Sequence, residues 1–313
     1  MFIKFFRTLF YISFLSALAP LISADEKKGG YVSSVPKPSL TKVSYGKHKR
    51  NIMDFWKAPS ERPTPVVLVF HGGGWVGGSK ERIDRFVDTQ KLLDSGISVA
   101  AINYRLIKHS QDLDPYVKGP MEDATRAIQF LRSKSSEWNI DKTNVALSGG
   151  SAGACTSLWL AYHDEMADPQ SSDPIAREST RVTCVAALRA QTTLDPKQMQ
   201  EWISNIKYGG HAFGQKDFVA YLNQRDELIS TINQYSPYAL LSEDDPPTYL
   251  FYTKPPSKTK KEKDPTHSAL FGVHLKAHCD ELNVPCELVY PQAENVTHKT
   301  ATDYLINKLA IKK

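Results

Sequence analysis

Two glycine-rich segments constrain the fold of this chain more than any other feature. Gly149-Gly150-Ser151-Ala152-Gly153 follows the apolar run Asn144 to Leu147, and His71-Gly72-Gly73-Gly74-Trp75 follows Val66-Val67-Leu68-Val69-Phe70, about 80 residues upstream. The first matches G-x-S-x-G, in which small residues flank a serine so that the chain can turn sharply from strand to helix. Such a turn stores backbone strain and holds the serine hydroxyl exposed. The second lets the backbone come close to a bound group and aim N–H donors at a developing negative oxygen. Acyl transfer needs both parts, a nucleophile and an oxyanion site.

The surrounding pattern predicts an α/β fold. Thr41 to Tyr45 and Asn51 to Trp56 read as an opening pair of strands. Pro65 to Phe70, Ile97 to Ile102, Asn144 to Leu147, Val182 to Ala190, Pro247 to Thr253 and Cys286 to Tyr290 are short apolar runs of buried-strand type. Helix periodicity occupies Ile83 to Ser95, Met121 to Lys134, Phe271 to Leu282 and Thr300 to Ala310. This alternation implies a mostly parallel central sheet with helices on both faces and reactive groups in loops at the carboxyl ends of the strands. A helical insertion is expected at about residues 196–245, before the last two strands, with Trp202, Tyr208, His211, Phe213 and Tyr221 as its aromatic content.

Residues 1–24 have the layout of a secretory signal: Lys4 and Arg7, an apolar run from Leu9 to Ile22, then Ser23-Ala24 before a charged stretch. Residues 25–40 read as a flexible leader and 41–313 as the catalytic domain. A secreted or periplasmic protein with no stable membrane span after processing is expected. Loss of Lys4 and Arg7, in a segment without acidic residues, takes the formal charge from +5 to +3, which does not call for a nucleic-acid partner. Five lysines crowd Lys254 to Lys263, readable as a solvated loop or as a contact for an anionic polymer. Of the four cysteines, Cys279 and Cys286 are the only close pair, and a bridge between them is left open. Oligomeric state is not legible.

Ser151 requires a general base, and the base a partner that fixes its tautomer. His298, in the loop between the last strand and the last helix, is the expected base. His274 and His278 fall in a helix, His211 in the insertion, and His71 before the serine, where it would orient the glycine loop. Asp264 is the expected acid, at the mouth of the lysine-rich loop and ahead of Pro265-Thr266-His267, with Asp195 as its main competitor. The oxyanion hole should combine the N–H groups of Ala152, Gly73 and Gly74.

These motifs, together with Asn103-Tyr104-Arg105-Leu106, Pro120 with Asp123, and Asp245-Pro246-Pro247-Thr248, resemble those of the α/β-hydrolases of the hormone-sensitive-lipase type and the related bacterial acetyl- and feruloyl-esterase-like proteins. The likeness spans most of Val43 to Leu309. It implies an α/β-hydrolase fold and carboxylic-ester hydrolysis through an acyl-enzyme, with no metal and no cofactor, and it makes Asp123 and Arg105 supports of the site. The acid loop departs from the family pattern in its length and lysine content, and Glu294-Asn295-Val296-Thr297 replaces the small residue usual beside the histidine. The expected function is an exported serine esterase for short acyl esters, with acetyl or feruloyl esters on polysaccharide as candidates. Hydrolysis of a small amide-like substrate, or a non-catalytic binding protein of the same fold, are the alternatives.

Overall fold

The computed structural model describes residues 30–310. The expected signal segment, residues 1–24, lies outside them. Eight strands form one sheet: β1 (Leu40–Ser44), β2 (Ile52–Trp56), β3 (Thr64–Phe70), β4 (Ser98–Ile102), β5 (Ile140–Gly150), β6 (Cys184–Leu188), β7 (Thr248–Phe251) and β8 (Cys286–Val289). Their spatial order is β1-β2-β4-β3-β5-β6-β7-β8. The pairs β1–β2 and β2–β4 are antiparallel and all the others parallel. This is the α/β-hydrolase fold.

The helices are α1 (Thr89–Asp94), α2 (Lys118–Ser133), α3 (Ser135–Trp138), α4 (Ala152–Tyr162), α5 (Pro196–Trp202), α6 (Phe218–Asn223), α7 (Arg225–Tyr235), α8 (Pro237–Leu240), α9 (Leu270–Glu281) and α10 (Ala301–Leu309). They cover both faces because the strands bury both sets of alternating side chains. Val66, Leu68 and Phe70 of β3 point into one apolar layer with Ala124, Ile128 and Leu131 of α2, Leu158 of α4 and Leu275 of α9. Val67 and Val69 point the other way, onto Leu92 of α1 and Tyr304, Leu305 and Leu309 of α10. Helices α5 to α8 lie between β6 and β7 in the chain, where the insertion is expected.

Two local expectations change, and the open point of the cysteine pair is decided. The single helix expected over 83–95 is a 3-10 turn, Lys80–Arg85, followed by the separate α1, because the Asp88 carboxylate accepts the Lys91 N–H and starts a new helix there. Residues 31–39 are not a free leader but lie against β2. The Tyr31 ring packs edge-on to Trp56 and its hydroxyl donates to Asp54, while Trp56 donates to the Pro36 carbonyl. Cys279 and Cys286 are free thiols and form no bridge.

The nucleophile helix is held unusually close to the sheet. Every residue of α4 is buried, and a Cβ built on Gly153 would sit 2.1 Å from the Phe70 carbonyl oxygen. Backbone cannot yield as a flexible side chain can. Gly153→Ala is therefore expected to destabilise the fold by about 1–3 kcal/mol, as overpacking does, measured as a lowered thermal midpoint; an unchanged midpoint would show that α4 can move off the sheet at no cost.

Candidate active site

Strand β5 ends at Gly150 and α4 begins at Ala152, so Ser151 alone makes the turn. Its φ is 54° and ψ −123°, the strained conformation expected of the serine elbow. Its N–H donates to the Leu188 carbonyl at the end of β6 (2.9 Å), which fixes the elbow to the neighbouring strand. The hydroxyl lies at the base of a cleft of about 470 Å³ lined by the glycine loop, Arg82, Arg85, Phe86, Arg189, Tyr208, His211 and His267.

The glycine loop crosses the cleft with Gly73 at φ 116° and Gly74 at φ 60°, values that L side chains rarely adopt. The Gly73 carbonyl accepts the N–H groups of Val76 and Gly77, so the loop is a closed turn. Trp75 is buried and its indole donates to Thr156 on α4 (3.0 Å), tying the loop to the nucleophile helix. His211, from the insertion, bonds the Gly74 carbonyl through Nε2 (2.9 Å). Among the described residues the N–H groups of Gly73, Gly74 and Ala152 have no internal acceptor. They remain available to a bound oxygen. The Tyr208 hydroxyl is also buried without a partner among the described residues.

His71 supports this loop. Its Nδ1 lies 2.8 Å from the Gly72 carbonyl and its Nε2 3.2 Å from the Arg50 guanidinium, while Tyr104 stacks on its ring and donates to its carbonyl. Burial drives its pKa down to about 3, the Gly72 bond opposing that shift only in part. The imidazole is therefore neutral at pH 7, as its bond to a cationic guanidinium requires. Below the loop, the Asp123 carboxylate accepts the backbone N–H and Nε of Arg105 (2.7 and 2.9 Å), a structural clamp.

The imidazole that meets Ser151 is that of His267, not His298. His267 Nε2 is 3.0 Å from Ser151 Oγ, and His267 Nδ1 is 2.9 Å from Asp264 Oδ2. Both residues come from the loop after β7, on a one-turn 3-10 helix, Pro265–His267, whose preceding residue is Asp264. Spacing i,i+3 places the two side chains on one face of such a turn. Gln191 donates to the Thr266 carbonyl (2.6 Å) and anchors the turn to the end of β6. Glu262 accepts the Ser268 hydroxyl and the Ser257 N–H, and its own backbone pairs with Asn205 of the insertion. The lysine-rich loop is thereby folded back against the domain, and its continuation is delivered to the serine.

His298 is held elsewhere. Its Nδ1 bonds Glu287 Oε2 (2.7 Å), and Glu287 Oε1 accepts the N–H groups of Thr297 and His298. This carboxylate closes the loop between β8 and α10 and leaves the ring with no contact to Ser151. Asp195, the competing acid, caps α5 through the Lys197 N–H and pairs with Arg225 (2.8 Å). The structure brings together Ser151, Asp264, Gly73, Gly74 and Ala152 and adds His267 in the place expected for His298. The available signal was Asp264-Pro265-Thr266-His267, an acid and an imidazole three residues apart.

The BD-FAE family model matches residues 53–258, about two-thirds of the chain and the part that carries the glycine loop and Ser151. Curated relatives include a probable carboxylic ester hydrolase, LipM, of Mycobacterium tuberculosis, 31% identical over 45% of this chain and 32% of its own length. A probable isoprenylcysteine alpha-carbonyl methylesterase of rice is 30% identical over 46% of this chain and 34% of its own. The matched segment thus spans about a third of each of these two relatives. Among solved structures, a truncated carbohydrate esterase from gut microbiota aligns with a TM-score of 0.64 at 17% identity, covering 84% of this chain and 90% of the other. An acetyl ester-xyloside bifunctional hydrolase from Caldicellulosiruptor lactoaceticus aligns at 0.55 with 22% identity, covering 76% and 77%.

The depressed pKa of His71 makes stability depend on pH. The unfolded chain takes up the proton near pH 6.5 and the folded one near 3, so this contribution is present above pH 6.5 and is lost as pH falls toward 3. The slope is at most about 1.4 kcal/mol per pH unit. In urea melts at pH 7 and 4.5, His71→Gln should lose less stability on acidification than the wild type; equal losses would contradict burial as the cause.

Proposed function

The chain belongs to the BD-FAE family, and we propose that it is an exported serine esterase that cleaves short-chain acyl esters, acetyl esters of polysaccharide foremost, through an acyl-enzyme. The observation that carries this reading is the Ser151–His267–Asp264 relay, with links of 3.0 and 2.9 Å, set beneath the free N–H groups of the glycine loop. The polysaccharide part rests on the carbohydrate esterase and the acetyl ester-xyloside hydrolase among its structural neighbours. Export rests on the pattern of residues 1–24, and a mature chain starting at Asp25 in the mass spectrum of the full-length product would be its direct sign.

In this mechanism His267 Nε2 takes the Ser151 proton as Oγ attacks the ester carbonyl. The carbonyl oxygen gains negative charge and is received by the N–H groups of Ala152, Gly73 and Gly74, donors that need no reorganisation at the moment of reaction. Asp264 holds Nδ1–H of His267, fixes the tautomer and stabilises the imidazolium. Collapse of the tetrahedral intermediate expels the alcohol, which leaves with the proton from Nε2. Water, deprotonated by the same imidazole, then attacks the acyl-enzyme and releases the acid and Ser151. Asp264 is more than half exposed, so water screens its effect and its loss should cost less than that of His267.

With 4-nitrophenyl acetate, Ser151→Ala and His267→Ala should each lower kcat on the order of 10⁴-fold or more. Asp264→Asn should cost about 10²–10⁴-fold, less than or equal to the loss in a more buried triad. His298→Ala should keep kcat within about tenfold while losing thermal stability, since it removes the part-buried hydrogen bond from its ring to Glu287. Full turnover in His267→Ala beside a collapse in His298→Ala would overturn the assignment of the base.

A further inference from the structure

Three guanidiniums line the cleft that holds Ser151: Arg82, Arg85 and Arg189. No Asp or Glu lines it. Among the described residues none of the three forms an ion pair, whereas Arg105, Arg126, Arg181 and Arg225 are each matched to a carboxylate. The acids nearest in sequence lie outside this cleft, Asp84 and Asp88 lining a neighbouring hollow that Arg85 also borders. Glu81 is bound to Lys80 (2.6 Å) and Asp264 to His267, while Asp84 makes no ion pair with either arginine of its turn.

The arginines are also placed by built features rather than scattered on the surface. Arg82 and Arg85 ride the 3-10 turn Lys80–Arg85, whose first residue is buried and anchored: Lys80 Nζ pairs with Asp54 on β2 at 2.7 Å, with both side chains almost wholly enclosed. An ion pair so enclosed is costly to break from one side, and it sets where the turn can lie. Arg189 follows β6 directly, next to Leu188, whose carbonyl holds the Ser151 N–H. It has a φ of 55°, a conformation uncommon for a side-chain-bearing residue. The five exposed lysines between Lys254 and Lys263 run along the loop that ends in Asp264 and His267, so positive charge continues on that side of the site.

From this placement we propose that the site selects esters that carry an anionic group, a carboxylate or a sulfate, as on an acetylated acidic sugar, with Arg82, Arg85 and Arg189 as its receptor. Guanidinium presents paired donors that match the planar oxygens of carboxylate and the oxygens of sulfate. No carboxylate lines the cleft to compete with an anionic substrate for them. The proposal rests on Ser151 and His267 as the reacting groups, and deepens that reading by naming the substrate class.

The test uses the full chain and three acetylated oligosaccharides of similar length: galacturonan fragments for carboxylate, sulfated galactan fragments for sulfate, and xylan fragments as the neutral reference. The wild type should favour one or both anionic substrates in kcat/KM by roughly tenfold or more, the size of one charged hydrogen bond. That preference should shrink as salt rises from about 0.05 to 0.5 M. In Arg85→Gln, Arg189→Gln and the triple Gln variant, each checked for an unchanged thermal midpoint, the ratio of anionic to neutral kcat/KM should fall toward one. Calorimetric binding of the unesterified acidic fragments to Ser151→Ala gives a readout independent of turnover and should be lost in the same arginine variants. Ser151-dependent turnover with no anionic preference would overturn the substrate class and leave the esterase reading standing. Binding of the acidic fragments by a protein that hydrolyses none of the three would overturn the esterase reading and keep the receptor.

Discussion

The site depends on the absence of side-chain volume where the ends of β3 and β5 meet. A Cβ on Gly72 would fall 2.6 Å from the Gly150 carbonyl, and one on Gly149 the same distance from the Phe70 carbonyl. The two glycine motifs are therefore one constraint, because each backbone occupies the space that a side chain of the other would need. Oxyanion donors must lie within about 3 Å of the position that the carbonyl oxygen takes as the serine attacks the carbon beside it. Only backbones packed this closely, from two adjacent parallel strands, can supply that arrangement without mobile side chains.

The rest of the domain holds the two strand ends in place. Trp75 crosses to Thr156, His71 is clamped by Arg50 and Tyr104, and Asp123 fixes Arg105. The base and acid arrive differently, on a loop whose position is set by a few polar contacts, Gln191 to Thr266 and Glu262 to Ser268 and Asn205. Ser151 sits at a strand end and the glycine loop is tied to α4, whereas His267 and Asp264 sit on or beside a short turn in a long loop. That division suits the proposed mechanism, in which the imidazole must serve the hydroxyl, the leaving alcohol and the water in turn.

The charge of the cleft follows from the same construction. Arg189 is one residue beyond the strand that receives the Ser151 N–H, and the turn bearing Arg82 and Arg85 is anchored by Lys80 and Asp54. Positive side chains are thus fixed around a nucleophile whose own surroundings are neutral: glycines, the hydroxyl of Tyr208 and the imidazole of His211. In the proposed reading substrate choice and chemistry use separate groups, and mutation can separate them.

Sequence alone determined what local sterics encode. The continuous β-branched and aliphatic run Val66 to Phe70, short and closed by glycines, reads as a strand buried on both faces, and the glycines on either side of Ser151 read as a strand-to-helix turn too tight for ordinary residues. Those facts made the fold, Ser151 and the glycine loop readable before any coordinates. The histidine was not readable in the same way, because a base is defined by where a loop returns in space. His298 occupies the expected interval after the last strand, yet Glu287 accepts its ring and its own N–H and holds it away. His267 sits only three residues after Asp264, and nothing local shows that the long lysine-rich segment before it folds back through Glu262 and Asn205. Tertiary structure decided that point, and with it the convergence of three arginines from two distant segments on one cleft, because contacts between residues far apart in the chain leave no periodic trace in it.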